Sequence, residues 1–189
     1  MKSVATASAA VLALCFTAAP ALAQTSFQVI SGNTSASPTY DRSFDDFSDL
    51  SPSGTGVHYD TYTFTAAVSG DYIFNTTAAF DSFVFLYEGS FNPLDSTANG
   101  VIGNDDIIFG NSFFASGFEI ALTAGTTYVY VTTGFASTDA GAYSTTIAGP
   151  AALVAMPVPE VGTYALMALG LAGLGLNARR RRQSEAAPA

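Results

Sequence analysis

From residue 57 to residue 150 apolar and polar side chains alternate with a period of two, interrupted by Gly, Asn, Asp and Ser. Tyr62, Phe64 and Ala66 alternate with Thr61, Thr63 and Thr65, the pattern of a strand with one buried face. Ser69-Gly70-Asp71 makes a turn into Tyr72-Ile73-Phe74. Between Phe80 and Tyr87 both faces are apolar, with Phe83, Phe85 and Tyr87 on one side and Val84 and Leu86 on the other. That predicts a central strand covered on both sides. A long loop follows, through Gly89, Asn92-Pro93 and Asn99-Gly100 to Asn104-Asp105-Asp106. Phe118, Ile120 and Leu122 alternate again, Ala124-Gly125-Thr126 turns into a strand over 128–131, and a last strand covers 143–147 before Gly149-Pro150.

Upstream, residues 24–56 are rich in Ser, Thr, Gly, Asn and Pro. Phe27-Gln28-Val29-Ile30 reads as a short strand, while Tyr40, Phe44, Phe47 and Leu50 are spaced too irregularly for a helix. The segment is expected to be an ordered loop packed on the domain edge. About seven short strands with Gly-centred turns and no helical period predict an all-β fold, an antiparallel, jelly-roll-like β-sandwich. Its expected bounds are 37–150, preceded by an N-terminal exported segment at 24–36 and followed by a linker at 151–156.

The two ends have a different character. Lys2, an apolar run over 4–19 and Ala21-Leu22-Ala23 form a signal peptide over 1–23, with cleavage before Gln24 and passage through the Sec translocon. Near the other end, an apolar run over 161–176 is followed by Arg179, Arg180, Arg181 and Arg182. As a helix these roughly 16 residues would extend about 24 Å, slightly short of a full span, which a thin bilayer accommodates. A single transmembrane helix is drawn at 161–178, with the arginines as a cytoplasmic stop-transfer block and a cytoplasmic tail at 183–189.

Val158-Pro159-Glu160, the Gly-Leu-rich apolar run and the terminal arginines together resemble the PEP-CTERM sorting signal of bacterial exported proteins. The resemblance covers residues 157–182. It implies a membrane-anchored precursor processed by an exosortase at Pro159 and Glu160, then display at the cell surface or in the extracellular matrix. Val161 stands where that family usually has a second proline.

A second resemblance covers residues 37–150. The runs Phe80-Asp81-Ser82-Phe83-Val84-Phe85-Leu86-Tyr87 and Gly89-Ser90-Phe91-Asn92-Pro93 come first, followed by Asn104-Asp105-Asp106. Leu122-Thr123-Ala124-Gly125-Thr126-Thr127-Tyr128 and Gly141-Ala142-Tyr143 complete the order. Together they are similar to the bacterial pre-peptidase C-terminal type of jelly-roll sandwich. Such modules are non-catalytic appendages that bind matrix, polysaccharide or protein fibres, so the resemblance implies exopolysaccharide as a partner and supplies no active site.

Charge narrows the function further. Residues 24–158 contain 13 acidic side chains and one cation, Arg42, for a net charge of −12. Such a surface repels phosphate backbones and excludes nucleic acid as a partner. The single cysteine, Cys15, lies inside the signal peptide, so the exported region has neither a disulfide nor a thiol nucleophile. The 15 Phe and 9 Tyr of the chain, with no Trp, fall mostly at strand spacing and are expected to fill a core, each buried Phe contributing about 1.5–3 kcal/mol.

Catalytic constellations are sparse. His58 is the one histidine and sits beside Tyr59 at a strand start; no GxSxG-type elbow accompanies it. No lysine follows Lys2, which removes Lys-based nucleophiles, and Asp105 and Asp106 are neighbours in sequence rather than a pair facing each other across a cleft. The chain is expected to be no enzyme. The candidate cofactor is Ca²⁺: Asn104, Asp105 and Asp106 offer hard oxygen ligands, with Asp81, and Glu88 at the far end of the same strand, expected to converge on that loop. The same residues also fit Asx-type turns that cap the loop through their side chains.

Overall fold

The computed structural model describes residues 25–107 and 115–156. The expected signal peptide and the expected sorting helix lie outside them. Among the described residues no helix is long and apolar enough to cross a membrane.

The strands are β1 (Ser26–Asn33), β2 (Thr39–Tyr40), β3 (Val57–Ala66), β4 (Gly70–Ala78), β5 (Ser82–Glu88), β6 (Gly100–Asn104), β7 (Ala115–Leu122), β8 (Thr127–Gly134), β9 (Ala142–Gly149) and β10 (Leu153–Ala155). They form two sheets, one in the order β1-β9-β4-β7, the other β10-β3-β8-β5-β6 with β2 also on β3. Every strand pair is antiparallel. The described residues therefore form an antiparallel β-sandwich.

Alternation explains which side chains meet between the sheets. Tyr72 and Phe74 of β4, Phe118 and Leu122 of β7 and Ile147 of β9 pack against Phe64, Val84, Leu86, Tyr128 and Tyr130 from the other sheet. The rings interlock: Phe74 stacks on Tyr130 at 5.1 Å and tilts against Phe118 at 5.4 Å. The polar tips buried in this layer are paired, as burial demands. Thr76 binds the Tyr130 hydroxyl at 2.7 Å, and Ser82 of β5 binds Ser116 of β7 at 2.8 Å. Tyr143 donates to Asp60 Oδ2 at 2.7 Å, tying β9 to β3.

β5 is the covered strand that its two apolar faces require, with six of its seven residues buried. Its second face, with Phe83, Phe85 and Tyr87, joins Val129 and Val131 of β8 in a separate cluster outside the sandwich layer, packed by Phe47, Tyr59, Phe91 and Phe135. Here the structure differs from the expected edge loop. Residues 41–56 lie over the outer face of the larger sheet, because the aromatic side of β5 needs a cover. Phe47 reaches Phe85 and Tyr87 at 5.6 and 5.5 Å. Gly100 on β6 leaves the space for that ring, since any Cβ there would collide with it.

Three further differences concern boundaries. β1 pairs with β9 over its whole length, so the sandwich begins well before residue 37. β10 lies in the expected linker and seats Leu153 in the inner core. β6 lies inside the expected long loop, where Gly100 and Gly103 hide its alternation.

Candidate functional site

Arg42 is the centre of the most unusual arrangement in the fold. It is 2% exposed although it carries a full charge, and long cations are rarely buried without compensation. Its backbone fixes the 41–56 loop, accepting from Ser51 N–H and donating to the Gly54 carbonyl, both at 2.9 Å. Gly54 is required there because a Cβ would run into the Arg42 side chain. The guanidinium donates to the Phe135 carbonyl through Nη2 at 2.8 Å and Nε at 3.3 Å, and to the Ser43 carbonyl through Nη1 at 3.1 Å. Its carbon lies 4.3 Å from the centre of the Phe83 ring and 5.0 Å from that of Phe135, within cation–π range.

Carboxylates gather around it at one end of the larger sheet. Asp81 precedes β5, Asp105 and Asp106 follow β6, Asp45 lies in the covering loop against Gly103, and Asp139 sits in the turn after β8. Antiparallel pairing brings these positions together, since Ser82 faces Gly134 and Val84 faces Asn104. Burial pushes the Asp105 carboxyl up to about 6, with Asp81 and Asp106 adding to the rise and Arg42 opposing it. Its Oδ1 is buried and, among the described residues, without a hydrogen-bond partner. Asp81 is raised for the same reasons, burial first, then Asp139 and Asp106. Burial lowers Arg42 from its usual range, while Tyr40, Asp105, Asp81 and Asp45 hold it up.

The residues expected to bind calcium are thus only partly assembled. Asp81, Asp105 and Asp106 lie within electrostatic reach of one another. Asn104 turns its amide to the other sheet, donating to the Gly117 carbonyl at 2.7 Å. Glu88 does not converge on the loop: it and Asp81 flank opposite ends of β5, which at about 3.3 Å per residue separates them by roughly 23 Å. Among the described residues, no group of three or more His, Cys, Asp or Glu side chains is arranged to hold a metal ion. Sequence reasoning did not single out Arg42, Asp45 or Asp139 for this site. The available signal was Arg42 itself, the one cation in a long acidic stretch.

His58 sits at the start of β3, between β2, where it faces Thr39, and β8, whose Thr133 hydroxyl donates to its carbonyl. Its Nδ1 lies 2.7 Å from the Ser37 carbonyl, so the ring carries its proton there and serves to join the strand to the preceding turn. A shallow depression of about 350 Å³ opens on the larger sheet beside Tyr59, Thr61, Thr63, Ser90 and Phe91. Tyr59 and Phe91 meet edge-on at 5.2 Å, and both are half-buried. No family model matches the chain, and no curated protein matches it.

Proposed function

We propose that this protein is a non-enzymatic, exported surface or extracellular-matrix protein of the exopolysaccharide or biofilm type. Its sandwich is read as the pre-peptidase C-terminal jelly-roll kind, and its C-terminus as an exosortase sorting signal with a membrane helix. The observation that carries this reading is the order Pro159-Glu160, apolar run, Arg179 to Arg182, together with Lys2, the apolar run over 4–19 and Ala21-Leu22-Ala23. The sandwich supports it in one respect: the two side chains most often recruited for chemistry, His58 and Arg42, are bound to backbone carbonyls. Intact mass of the protein recovered outside the cell tests the reading. The expected form starts at Gln24 and ends near Pro159-Glu160; recovery of every molecule through Ala189 would leave a plain membrane anchor in place of a sorting signal.

A second reading, a calcium-assisted carbohydrate-binding module, draws on the unpartnered Asp105 Oδ1 and on the Tyr59–Phe91 depression. Three separated carboxylates would need backbone carbonyls or water to complete a shell of 6–8 oxygens. A glycan array with and without EDTA distinguishes the two: chelator-sensitive sugar binding, lost in Tyr59→Ala, favours the module.

A further inference from the structure

The sheet edges of this protein are unequally protected. On the larger sheet, β3 is capped by the short β2 and β10, and β6 has five residues with a register shift opposite Leu86 and Tyr87. On the smaller sheet, the free side of β7 is occupied by the Asn104 amide at Gly117 and by Ile107 N–H at the Ala115 carbonyl, 2.9 Å away. β1 is the exception. It ends its sheet with β9 as its one strand partner among the described residues. Its eight residues, SFQVISGN, include no charge and no proline, and the register is continuous. Natural edges are usually blunted by charge, proline, bulges or shortness, and β1 has none of these devices.

Its side chains point the same way. Gln28 turns inward, donating to the Tyr62 hydroxyl at 2.9 Å and accepting from Leu153 N–H at 3.0 Å. Phe27 and Val29 turn outward, 73% and 63% exposed. The more apolar side of the strand therefore faces solvent.

We infer that the outer edge of β1 pairs with β1 of a second copy of this chain, antiparallel across a twofold axis, extending two smaller sheets into one. An unpaired backbone edge selects a strand as its occupant. Charge selects a copy. The exported region is strongly acidic, so a basic partner would be drawn to the carboxylate-bearing loops. Two copies meet without opposing carboxylates where no acid lies, and β1 is such a place. The strand is also self-complementary: a register centred on Gln28 sets Phe27 of one copy opposite Val29 of its mate, an aromatic–β-branched pair. One strand pair buries less than the roughly 1,200–2,000 Å² of a stable interface, so association is concentration-dependent.

Cross-linking of the full chain tests this. In a Cys15→Ser background, Val29→Cys treated with a short bismaleimide is expected to give a covalent dimer. Leu94→Cys, at an exposed site on another loop, is expected to give none. Adding Phe27→Lys to Val29→Cys should cut the dimer yield at least about fivefold, because the cross-strand pair is lost and the edge gains a charge. Both side chains are exposed, so an unchanged thermal melt accompanies that loss. Equal yields at positions 29 and 94 would indicate random encounter and overturn the inference. So would the absence of any adduct, and so would an adduct whose mass shows a different protein, which would assign the edge to another partner.

Discussion

Removing the Arg42 guanidinium takes two donors from the Phe135 carbonyl and the offsetting charge from Asp45, Asp81 and Asp105. Arg42→Met is expected to lose on the order of 3 kcal/mol in urea unfolding, since one partner of a buried charged network is deleted while the rest remains. Arg42→Lys should recover little, because a single ammonium cannot bond two carbonyls and lie flat between two rings. A loss below about 1 kcal/mol for Arg42→Met would mean the loop holds without it. Asp105 gives a pH-dependent counterpart. With its carboxyl raised from 3.8 to about 6, the folded state binds the proton more tightly than the unfolded chain. The ionised group thus costs stability above pH 6, and that cost disappears below about pH 4. Asp105→Asn is therefore expected to raise the melting temperature at pH 7.5 and to leave it nearly unchanged at pH 4. The group is only half-buried, so the gain is on the order of 1 kcal/mol rather than the full value of the shift. Equal melts at pH 7.5 would show that solvent already satisfies this carboxylate.

β4 and β9 were legible because buried and more exposed residues alternate along them, whereas β3 and β7 were legible from the alternation of residue types alone, since β3 has no exposed residue and β7 buries three residues in a row. β5 was legible for the opposite reason, its unbroken apolar run. β1 was seen only as a short piece, since its outward residues are more apolar than Gln28, which points in. β6 and β10 were missed because glycine and brevity remove the period-two signal on which strand reading rests. Leu153 makes β10 testable. It is buried in the inner core from a position that sequence assigned to a linker, so Leu153→Ala should cost about 2–5 kcal/mol, whereas Val154→Ala, on the exposed side, should cost little. Matching unfolding curves for the two variants would return these residues to the status of a linker. The same logic explains the candidate site. Asp81, Asp105 and Asp106 stood out as acids beside strands, but Asp45 and Asp139 join them through loop packing and antiparallel register, neither of which has a local sequence signature.

At the scale of the whole molecule, thirteen carboxylates against one buried arginine make residues 24–158 self-repelling, with no cysteine there to form an offsetting disulfide. Long-range repulsion between exposed charges falls as the screening length shortens, from roughly 20 Å at low salt to about 4 Å near 0.5 M. Sodium chloride over that range is expected to raise the melting temperature by a few degrees, through general screening alone. Calcium separates this from a specific site. At constant ionic strength, millimolar Ca²⁺ acting only as a screening ion leaves the melt where sodium left it. An ion held by Asp81, Asp105 and Asp106 instead binds the folded state, and at about 100 times its dissociation constant adds roughly 2.7 kcal/mol. That added rise should vanish in Asp105→Asn, which in EDTA is the more stable protein and in calcium the less stable one. A reversal of order between the two conditions is the signature of a site. If EDTA and calcium give the same wild-type melt at matched ionic strength, the carboxylates around Arg42 act only as its electrostatic counterweight.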